Sequence, residues 1–479
     1  MRKKKRTRTE HDSMGSMEVP AIALHGASTQ RAVLNFPISG RTVPPAIIHA
    51  YALLKKAAAR ANEKLGKLDS TRAGLIADAC DDITEALADP DRAAGMMSHF
   101  PVDVFQTGSG TSTNVNVNEV VSNLACRAAG RKTGDKDPVH PNDHVNMGQS
   151  SNDTFPTAMQ VAACVEIRNL LIPSLKGLAR DLAAKAKKWD SIITIGRTHL
   201  MDATPIRLGQ EVSGWAAQMQ YGVTRAERAL NRLAENLPIG GTAVGTGINT
   251  HPKFAATVIR ELAKATRIKF AEAGNHFEAQ ATRDCVVEAH GELKTIAVSL
   301  SKIANDLRWL GSGPRCGLFQ VSLPAVQPGS SIMPGKVNPV ICESAMQVFC
   351  QVAGNDTTIT LAGSGGIGSI LELNLCMPVI AERLIESITL LAQATTGLDE
   401  HVVKGLEANR EVAEGLVEGS LMVGTVLAPV IGYDQAAKIA KEAFETGETI
   451  RECVLRAGLL GEEQLDELLD FRAMTEPQA

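Results

Sequence analysis

Aromatic residues make up only 4% of this 479-residue chain, which has three tryptophans and three tyrosines. A core of ordinary size must therefore be built from Ala, Leu, Val and Ile, which suits helices that pack closely along their length. Alternating strand patterns are scarce, and no run of about 18 uncharged apolar residues predicts a membrane span. The formal net charge of −4 does not favour a polyanionic partner such as nucleic acid.

Several metal and nucleotide motifs are also lacking. The nine cysteines include no C-x-x-C pair, and the eleven histidines include no H-E-x-x-H; His140 and His144 are four apart but stand beside a proline in a polar loop. No G-x-G-x-x-G follows a strand pattern, and GSGTST lacks the Gly-Lys-Ser/Thr of a phosphate loop. We therefore expect reduced thiols and a cytoplasmic protein.

One strongly charged segment opens the sequence, with six cations between Arg2 and Arg8. No apolar segment follows it, so we expect no secretory signal. A solvated basic tail over residues 1–10 is the interpretation we adopt over a nucleic-acid-binding arm.

Long helical patterns dominate the middle of the chain. Apolar residues recur three or four apart from Arg207 to Asn236 and again from Leu293 to Leu310, and an Ala/Leu-rich stretch from Thr157 to Trp189 should kink at Pro173. Helices of this length indicate a bundle. We predict an all-α fold with three domains: residues 1–149, a central long-helix bundle over 150–406, and a small helical domain over 407–479.

Four stretches rich in Gly, Pro, Ser, Thr and Asn interrupt these patterns: TGSGTSTNVNVNEV (107–120), HPNDHVNMGQSSNDTFPT (140–157), GRTHLMDATPIRLGQE (196–211) and PGSSIMPGKVNP (328–339). Each precedes a predicted helix start; Asn338 suits an N-cap with Pro339 as the first helical residue, and Thr204-Pro205 suits another. Helix N-termini attract anions. One such stretch alone is an ordinary capped helix, but four favour a composite anion site.

The side chains of these stretches indicate the ligand. They offer many neutral hydroxyl and amide donors, one lysine (Lys336), one histidine (His199) and few carboxylates. A lone histidine is usually structural, yet His199 beside a predicted helix start could act as acid or base. Glu343 is too far from Asn338 for a capping box. A small polycarboxylate fits this set better than a nucleotide does.

The four stretches resemble the fumarase/aspartase superfamily. GSSIMPGKVNP marks the superfamily, and GSGTSTNVNVNEV, HPND, SSNDTFPTAM, GRTHLMDATP and GGTAVGTGINTHP together resemble the class II fumarate hydratase family, from about His11 to the last residue. The resemblance implies a homotetramer with a twenty-helix core, and active sites shared by three subunits. It also implies reversible hydration of fumarate to L-malate with no metal or organic cofactor, a lyase reaction of the tricarboxylic acid cycle.

The resemblance also implies residue roles. Ser330, on a mobile loop over 328–339, would remove the C3 proton of malate, and His199, held by Glu343, would act through a water on the departing hydroxyl. The residues implied to bind the two substrate carboxylates are Ser109, Gly110, Thr111, Ser150, Ser151, Asn152, Thr198, Ser331, Lys336 and Asn338. A second, non-catalytic dicarboxylate site would comprise His140, Pro141, Asn142 and Asp143.

Some positions depart from the family pattern. Gly148 replaces a polar residue, and the stretch 361–374 is rich in glycine; both are expected to alter loop packing. His144 and Met147 are more familiar from aspartases, whereas Ser151 and HLMDATP favour fumarase. Aspartate ammonia-lyase, an argininosuccinate or adenylosuccinate lyase, and a non-catalytic helical scaffold remain as alternatives.

Overall fold

A computed structural model describes residues 6–477, and most of them are helical. The helices are α1 Ala27–Asn35, α2 Pro45–Lys64, α3 Ser70–Ala88, α4 Pro90–Met97, α5 Thr111–Ala128, α6 Ser151–Glu166, α7 Ile172–Lys188, α8 Leu208–Ala234, α9 Phe254–Thr266, α10 His276–Ala281, α11 Asp284–Leu310, α12 Val340–Gly363, α13 Met377–Leu398, α14 Arg410–Glu418, α15 Ala428–Ile431, α16 Tyr433–Thr446, α17 Ile450–Arg456 and α18 Glu462–Leu468. The predicted all-α fold is confirmed.

The strands form four small antiparallel pairs. They are β1 Thr7–Asp12 with β2 Gly15–Pro20, β3 Ile193–Thr198 with β4 Met201–Arg207, β5 Val321–Ser322 with β8 Glu407–Ala408, and β6 Ser369–Ile370 with β7 Leu373–Asn374. The first pair corrects the prediction of a solvated tail, because Thr7–Glu10 pair with Met17–Pro20. Arg8 donates hydrogen bonds to Glu10 and to the carbonyls of nearby residues, which orders this end of the strand. The rest of the predicted basic tail, residues 1–5, lies outside the described residues.

The long-helix predictions are confirmed. Helix α8 has 27 residues, and α11 is also 27 residues long and begins before the predicted pattern. The predicted break near Pro173 is a π-helical turn, Ile167–Leu171, between α6 and α7. Proline lacks an N–H and its ring displaces the preceding turn, which accounts for an interruption immediately before it.

The chain folds into two compact units. Unit 1 comprises the chain up to Ile172 with Thr224–Thr295 and Cys350–Leu391, and unit 2 comprises Pro173–Val223, Ile296–Phe349 and Ala392 onwards. In unit 1, the Ala-rich helix α2 is buried on most of its surface and packs against α3, α6 and α9. In unit 2, α14 packs on β3, and the C-terminal helices enclose a core that includes Val417, Ile439 and Cys453. The three-domain division by residue ranges remains a prediction.

No single helix within residues 6–477 has the length and apolar composition needed to cross a membrane; one bent pair, Arg410–Glu418 with Leu421–Ile431, meets both criteria together. All nine cysteines fall within these residues, and each is a free thiol.

Candidate functional site

The N-terminus of α5 presents a row of hydroxyls in unit 1. Gly110 precedes the helix in the left-handed conformation, with φ of 73°, and a Cβ there would lie 2.0 Å from the ring of Phe155. The Thr111 Oγ1 atom lies 2.7 Å from both Ser109 Oγ and Ser151 Oγ, so three hydroxyls form one hydrogen-bonded chain. Two of the predicted stretches therefore meet at this point.

The N-terminus of α6 lies beside this chain and is fixed by Asp153. Ser150 and Asp153 form a capping box, and the other oxygen of Asp153 accepts hydrogen bonds of 3.0 Å from the N–H groups of Gly240 and Thr242. Burial raises the pKa of Asp153 to about 6, although backbone N–H donors and the charge of Lys55 oppose the shift. Asp153 thus joins the 240–243 turn to the predicted site, and Asn152 donates to the Ala243 carbonyl.

These elements line an open, polar cavity of about 390 Å³. Its lining residues are Thr111, Asn114, Val115, Asn118, Asn142, Asn146, Gly148, Gln149, Ser150, Ser151, Thr242, Ala243, Ile248 and Asn249. Hydroxyls and carboxamides dominate this lining, and the N-termini of two helices contribute to the wall. Such a cavity suits a small anion that accepts several hydrogen bonds.

Lys55 is the main residue that sequence reasoning missed. Its side chain is 0% exposed, and its ammonium donates to Asn114 Oδ1 at 2.8 Å and to Asn146 Oδ1 and Gln149 Oε1 at 3.0 Å. The only signal in the sequence was the unusual series of asparagines that includes Asn114, because a buried polar residue needs a partner elsewhere in the chain.

The HPND motif forms a π-helical turn next to the cavity. His140 accepts hydrogen bonds at Nδ1 from the N–H groups of Asn142 and Asp143, and His144 Nδ1 accepts from the His140 N–H. Asn142 lines the cavity. The ring nitrogens that face the backbone here act as acceptors, which explains the spacing of the two histidines without a metal.

The glycine departures have structural reasons. Gly148 has φ of 70°, which favours glycine, and it lines the cavity. The stretch 361–374 contains the β6–β7 hairpin, and Leu375, directly after it, packs so tightly on Gly108 that a Cβ there would lie 1.7 Å from the Leu375 carbonyl oxygen. The glycine-rich stretch therefore supports the loop before α5.

The serine loop is in unit 2 and folds back on itself. Gly329 donates to the Lys336 carbonyl at 2.8 Å, and the Asn338 carboxamide donates to the Gly329 carbonyl at 2.8 Å. Ser330 Oγ accepts from the N–H groups of Ile332 and Met333 at 3.2 and 3.1 Å. Ser331 and Lys336 are exposed. The predicted helix start is one residue early: α12 begins at Val340, and the Asn338 side chain closes the loop through its bond to Gly329.

His199 occupies the tip of the β3–β4 hairpin, also in unit 2. The predicted helix start at Thr204-Pro205 is wrong, since these residues lie in β4 and α8 begins at Leu208. His199 and Leu200 both have positive φ, 57° and 64°, which matches a two-residue hairpin turn but is costly for side chains other than glycine or asparagine. Thr198 is exposed beside them.

Glu343 lies in the first turn of α12. In the part of the chain that is described, no hydrogen bond joins Glu343 to His199, so one chain does not form the implied pair. The same residues contain no group of three or more His, Cys, Asp or Glu side chains arranged to hold a metal ion.

Comparison with known proteins identifies two family profiles in the chain: "Lyase" matches residues 15–354, and "Fumarase C C-terminus" matches residues 424–476. The class II fumarate hydratase of Neisseria meningitidis is 49% identical over 98% of this chain and 100% of its own length. The class II fumarate hydratase of Corynebacterium glutamicum is 51% identical over 98% of this chain and 96% of its own length. The mitochondrial fumarate hydratase of Rhizopus oryzae is 50% identical over 96% of this chain and 91% of its own length.

Two solved structures are similar to this chain over nearly its whole length. The class II fumarase from Schistosoma mansoni superposes with a TM-score of 0.93 at 39% identity, covering 99% of this chain and 100% of that one. A fumarate lyase/delta crystallin from Brucella melitensis, solved bound to cobalt, superposes with a TM-score of 0.92 at 44% identity, covering 98% of this chain and 100% of that one.

Proposed function

The chain belongs to the class II fumarate hydratase family, and from this premise we propose that it catalyses the reversible hydration of fumarate to L-malate. The observation that carries the proposal is the polar cavity at the N-termini of α5 and α6, where Thr111, Ser150 and Ser151 present hydroxyls. Neutral donors and helix N-termini suit a dicarboxylate, because they stabilise negative charge without requiring a bound cation.

In the elimination direction, Ser330 acts as the base. Its oxyanion takes the C3 proton of malate, and the C–H electron pair moves toward the adjacent carboxylate, which then carries extra negative charge. The pair next forms the C=C bond while the C2 hydroxyl departs on the opposite face and gains a proton to become water. Two N–H groups directed at Ser330 Oγ support this role, because they stabilise a serine oxyanion.

His199, with Glu343, is proposed to supply the proton to the departing hydroxyl through a water. The exposed hairpin tip supports a role between subunits, since Leu200 and Met201 beside His199 are 59% and 69% exposed in the single chain. The proposed carboxylate ligands are Ser109, Gly110, Thr111, Ser150, Ser151, Asn152, Thr198, Ser331, Lys336 and Asn338.

We further propose a cytoplasmic homotetramer in which three subunits build each active site. The implied residues lie on both compact units: Thr111 and Ser151 on unit 1, and His199, Ser330 and Glu343 on unit 2. We also propose that His140, Pro141, Asn142 and Asp143 form a second dicarboxylate site, that the reaction needs no cofactor, and that the serine loop is mobile.

The test is absorbance at 240 nm on purified protein given L-malate or, separately, L-aspartate at neutral pH without added metal. Fumarate formed from L-malate alone is the expected result. Fumarate from L-aspartate alone would mean that ammonia is the leaving group, and no product from either would favour the other lyases or a non-catalytic scaffold. Repeating the L-malate assay after dialysis against a chelator should leave the rate unchanged if no metal takes part.

A further inference from the structure

Beneath the polar cavity described above lies a buried cation that has no anionic contact among residues 6–477. Lys55 projects from α2, and its three hydrogen-bond partners, Asn114, Asn146 and Gln149, are all neutral carboxamides that line the cavity. Lys55 itself does not line the cavity. Any effect it has on a ligand must therefore pass through these amides or through its electric field.

A purely structural role accounts poorly for this charge. Three hydrogen bonds satisfy the donors of the ammonium but bring no negative charge into contact with it, and removing a charge from water without a nearby opposite charge is costly. The burial lowers the pKa of Lys55 to about 7, with the charge of Asp153 acting in the opposite direction. A ligand carboxylate in the cavity would supply the counter-charge that the protein does not place in contact.

A second side chain points independently to a polar ligand. Asn118 is 1% exposed and lines the cavity, and neither its carboxamide nitrogen nor its oxygen has a hydrogen-bond partner among residues 6–477. Buried carboxamides are almost always hydrogen-bonded. The cavity therefore offers one unsatisfied donor and acceptor in addition to the hydroxyls of Thr111 and Ser151.

We propose that Lys55 is a positioning residue for the substrate. It fixes the three carboxamides that line the cavity, and it supplies the positive charge that favours one carboxylate of a bound dicarboxylate. This inference rests on the proposed function, because it assigns the cavity to the dicarboxylate. The ammonium holds three carboxamide oxygens at once, so their orientation is set before the ligand arrives.

The proposal predicts that ligand binding is linked to a proton. The titratable groups that face Lys55 are Asp153 on α6, Cys80 on α3 and Tyr51, whose ring lies beside it on α2. Burial raises the pKa of Asp153 to about 6, that of Cys80 to about 12 and that of Tyr51 well above its ordinary value. Lys55, with a pKa of about 7, is therefore the group of this cluster whose charge changes most as the pH rises from 7 to 8. A bound carboxylate favours its charged form, so binding at pH 8 should take up a proton.

The experiment compares the wild type with Lys55→Met, which removes the charge at similar size, and with Lys56→Met as the matched control. Lys56 is the next residue and pairs with Asp81 at 2.6 Å on the surface. The inhibition constant of succinate, an unreactive dicarboxylate, is measured from pH 6.5 to 9. Proton uptake on succinate binding is measured at pH 8 by calorimetry in buffers of different ionisation enthalpy.

We expect Lys55→Met to weaken succinate and raise KM for L-malate on the order of 10- to 100-fold, with a smaller change in kcat. The wild type should bind succinate less tightly as the pH rises above about 7, and it should take up a proton on binding at pH 8. Lys55→Met should lose both effects, whereas Lys56→Met should keep them. Lys55→Arg, which stays charged, should retain affinity but lose the pH dependence.

A folded Lys55→Met protein with unchanged succinate affinity and unchanged proton uptake would overturn the proposal. If that variant does not fold, Lys55→Gln, which removes the charge and keeps a hydrogen-bond donor, decides instead: unchanged succinate affinity in it would equally overturn the proposal. Failure of the proposed function is seen separately, as wild-type protein that forms no fumarate from L-malate.

Discussion

At the scale of single residues, the proposed chemistry of Ser330 depends on backbone N–H groups of its own loop. A serine hydroxyl is a weak base because its oxyanion is unstable, and two N–H groups of the loop, from Ile332 and Met333, are directed at its Oγ atom. The loop reaches this shape because Gly329 has no side chain: a Cβ there would lie 2.6 Å from the Lys336 carbonyl oxygen. Gly329 and Asn338 therefore serve the serine indirectly, by closing the loop.

Replacing Ser330 by Ala should lower kcat for L-malate on the order of a hundred- to a thousand-fold, because the proton acceptor is removed while substrate contacts remain. The thermal midpoint should change little, since Ser330 is part of a solvent-accessible loop. Ser213→Ala, at an exposed helical serine whose hydroxyl donates to the Gln210 carbonyl, is the control. Steady-state kinetics with near-wild-type turnover in Ser330→Ala would remove this residue from the proton path.

At the scale of elements, the site depends on how two helices begin. Helix α5 starts after a left-handed glycine, and α6 starts at a capping box whose carboxylate also holds the 240–242 backbone. Each of these two helix starts directs free N–H groups and hydroxyls toward the same cavity. The helix starts are therefore both local caps and parts of a binding site, which is why the local sequence alone fits either interpretation.

Gly110→Ala should destabilise the protein by about 3 kcal/mol, because a Cβ is disfavoured at positive φ and would overlap the Phe155 ring. It should also raise KM for L-malate, since Thr111 and Ser109 would shift with the helix start. Gly74→Ala is the matched control: Gly74 lies in the right-handed helix α3, where an added Cβ would have no atom within 4 Å, so this variant should gain up to about 1 kcal/mol. Urea denaturation of the three proteins measures both changes; equal stability of Gly110→Ala and wild type would contradict the argument.

At the scale of the whole molecule, the proposed assembly explains why one chain does not complete the site. His199 and Glu343 form no hydrogen bond to each other within the described residues, and the hairpin tip that carries His199 exposes Leu200 and Met201. A closed oligomer can cover such a tip and bring it to a neighbouring subunit's loop. Residues from different chains would then share one reaction.

Mixed oligomers test this arrangement. Ser330→Ala and His199→Asn chains are each expected to be nearly inactive, but co-expressed chains should recover roughly a quarter of wild-type turnover if the two residues come from different subunits, because random assembly pairs two intact partners in that share of sites. Mixing the separately assembled proteins without dissociation is the control and should recover nothing. Co-expressed mixtures that stay inactive would place both residues on one subunit.

Light scattering should give the mass of four chains.

The sequence is enough to predict the long helices, because an apolar residue every three or four positions over 18 or more residues permits little else; α8 and α11 follow that pattern. It also located the polar stretches that supply Thr111, Ser151 and Ser330, because Gly, Pro and hydroxyl residues mark loops and caps whatever surrounds them. The hairpin that carries His199 escaped prediction, since its two turn residues are neither glycine nor asparagine and only pairing of β3 with β4 sustains their positive φ.

Which polar residues are buried together could be learned only from the folded chain. Lys55 and Lys56 are adjacent on α2, yet the first is 0% exposed beneath three carboxamides and the second forms an ion pair at the surface. Helical periodicity places neighbouring residues about 100° apart around the axis, so they can differ in burial. It does not reveal that α3, α6 and α9 cover α2 so completely. The physical reason is that burial and hydrogen-bond partners depend on segments far apart in the chain, here Asn114, Asn146 and Gln149.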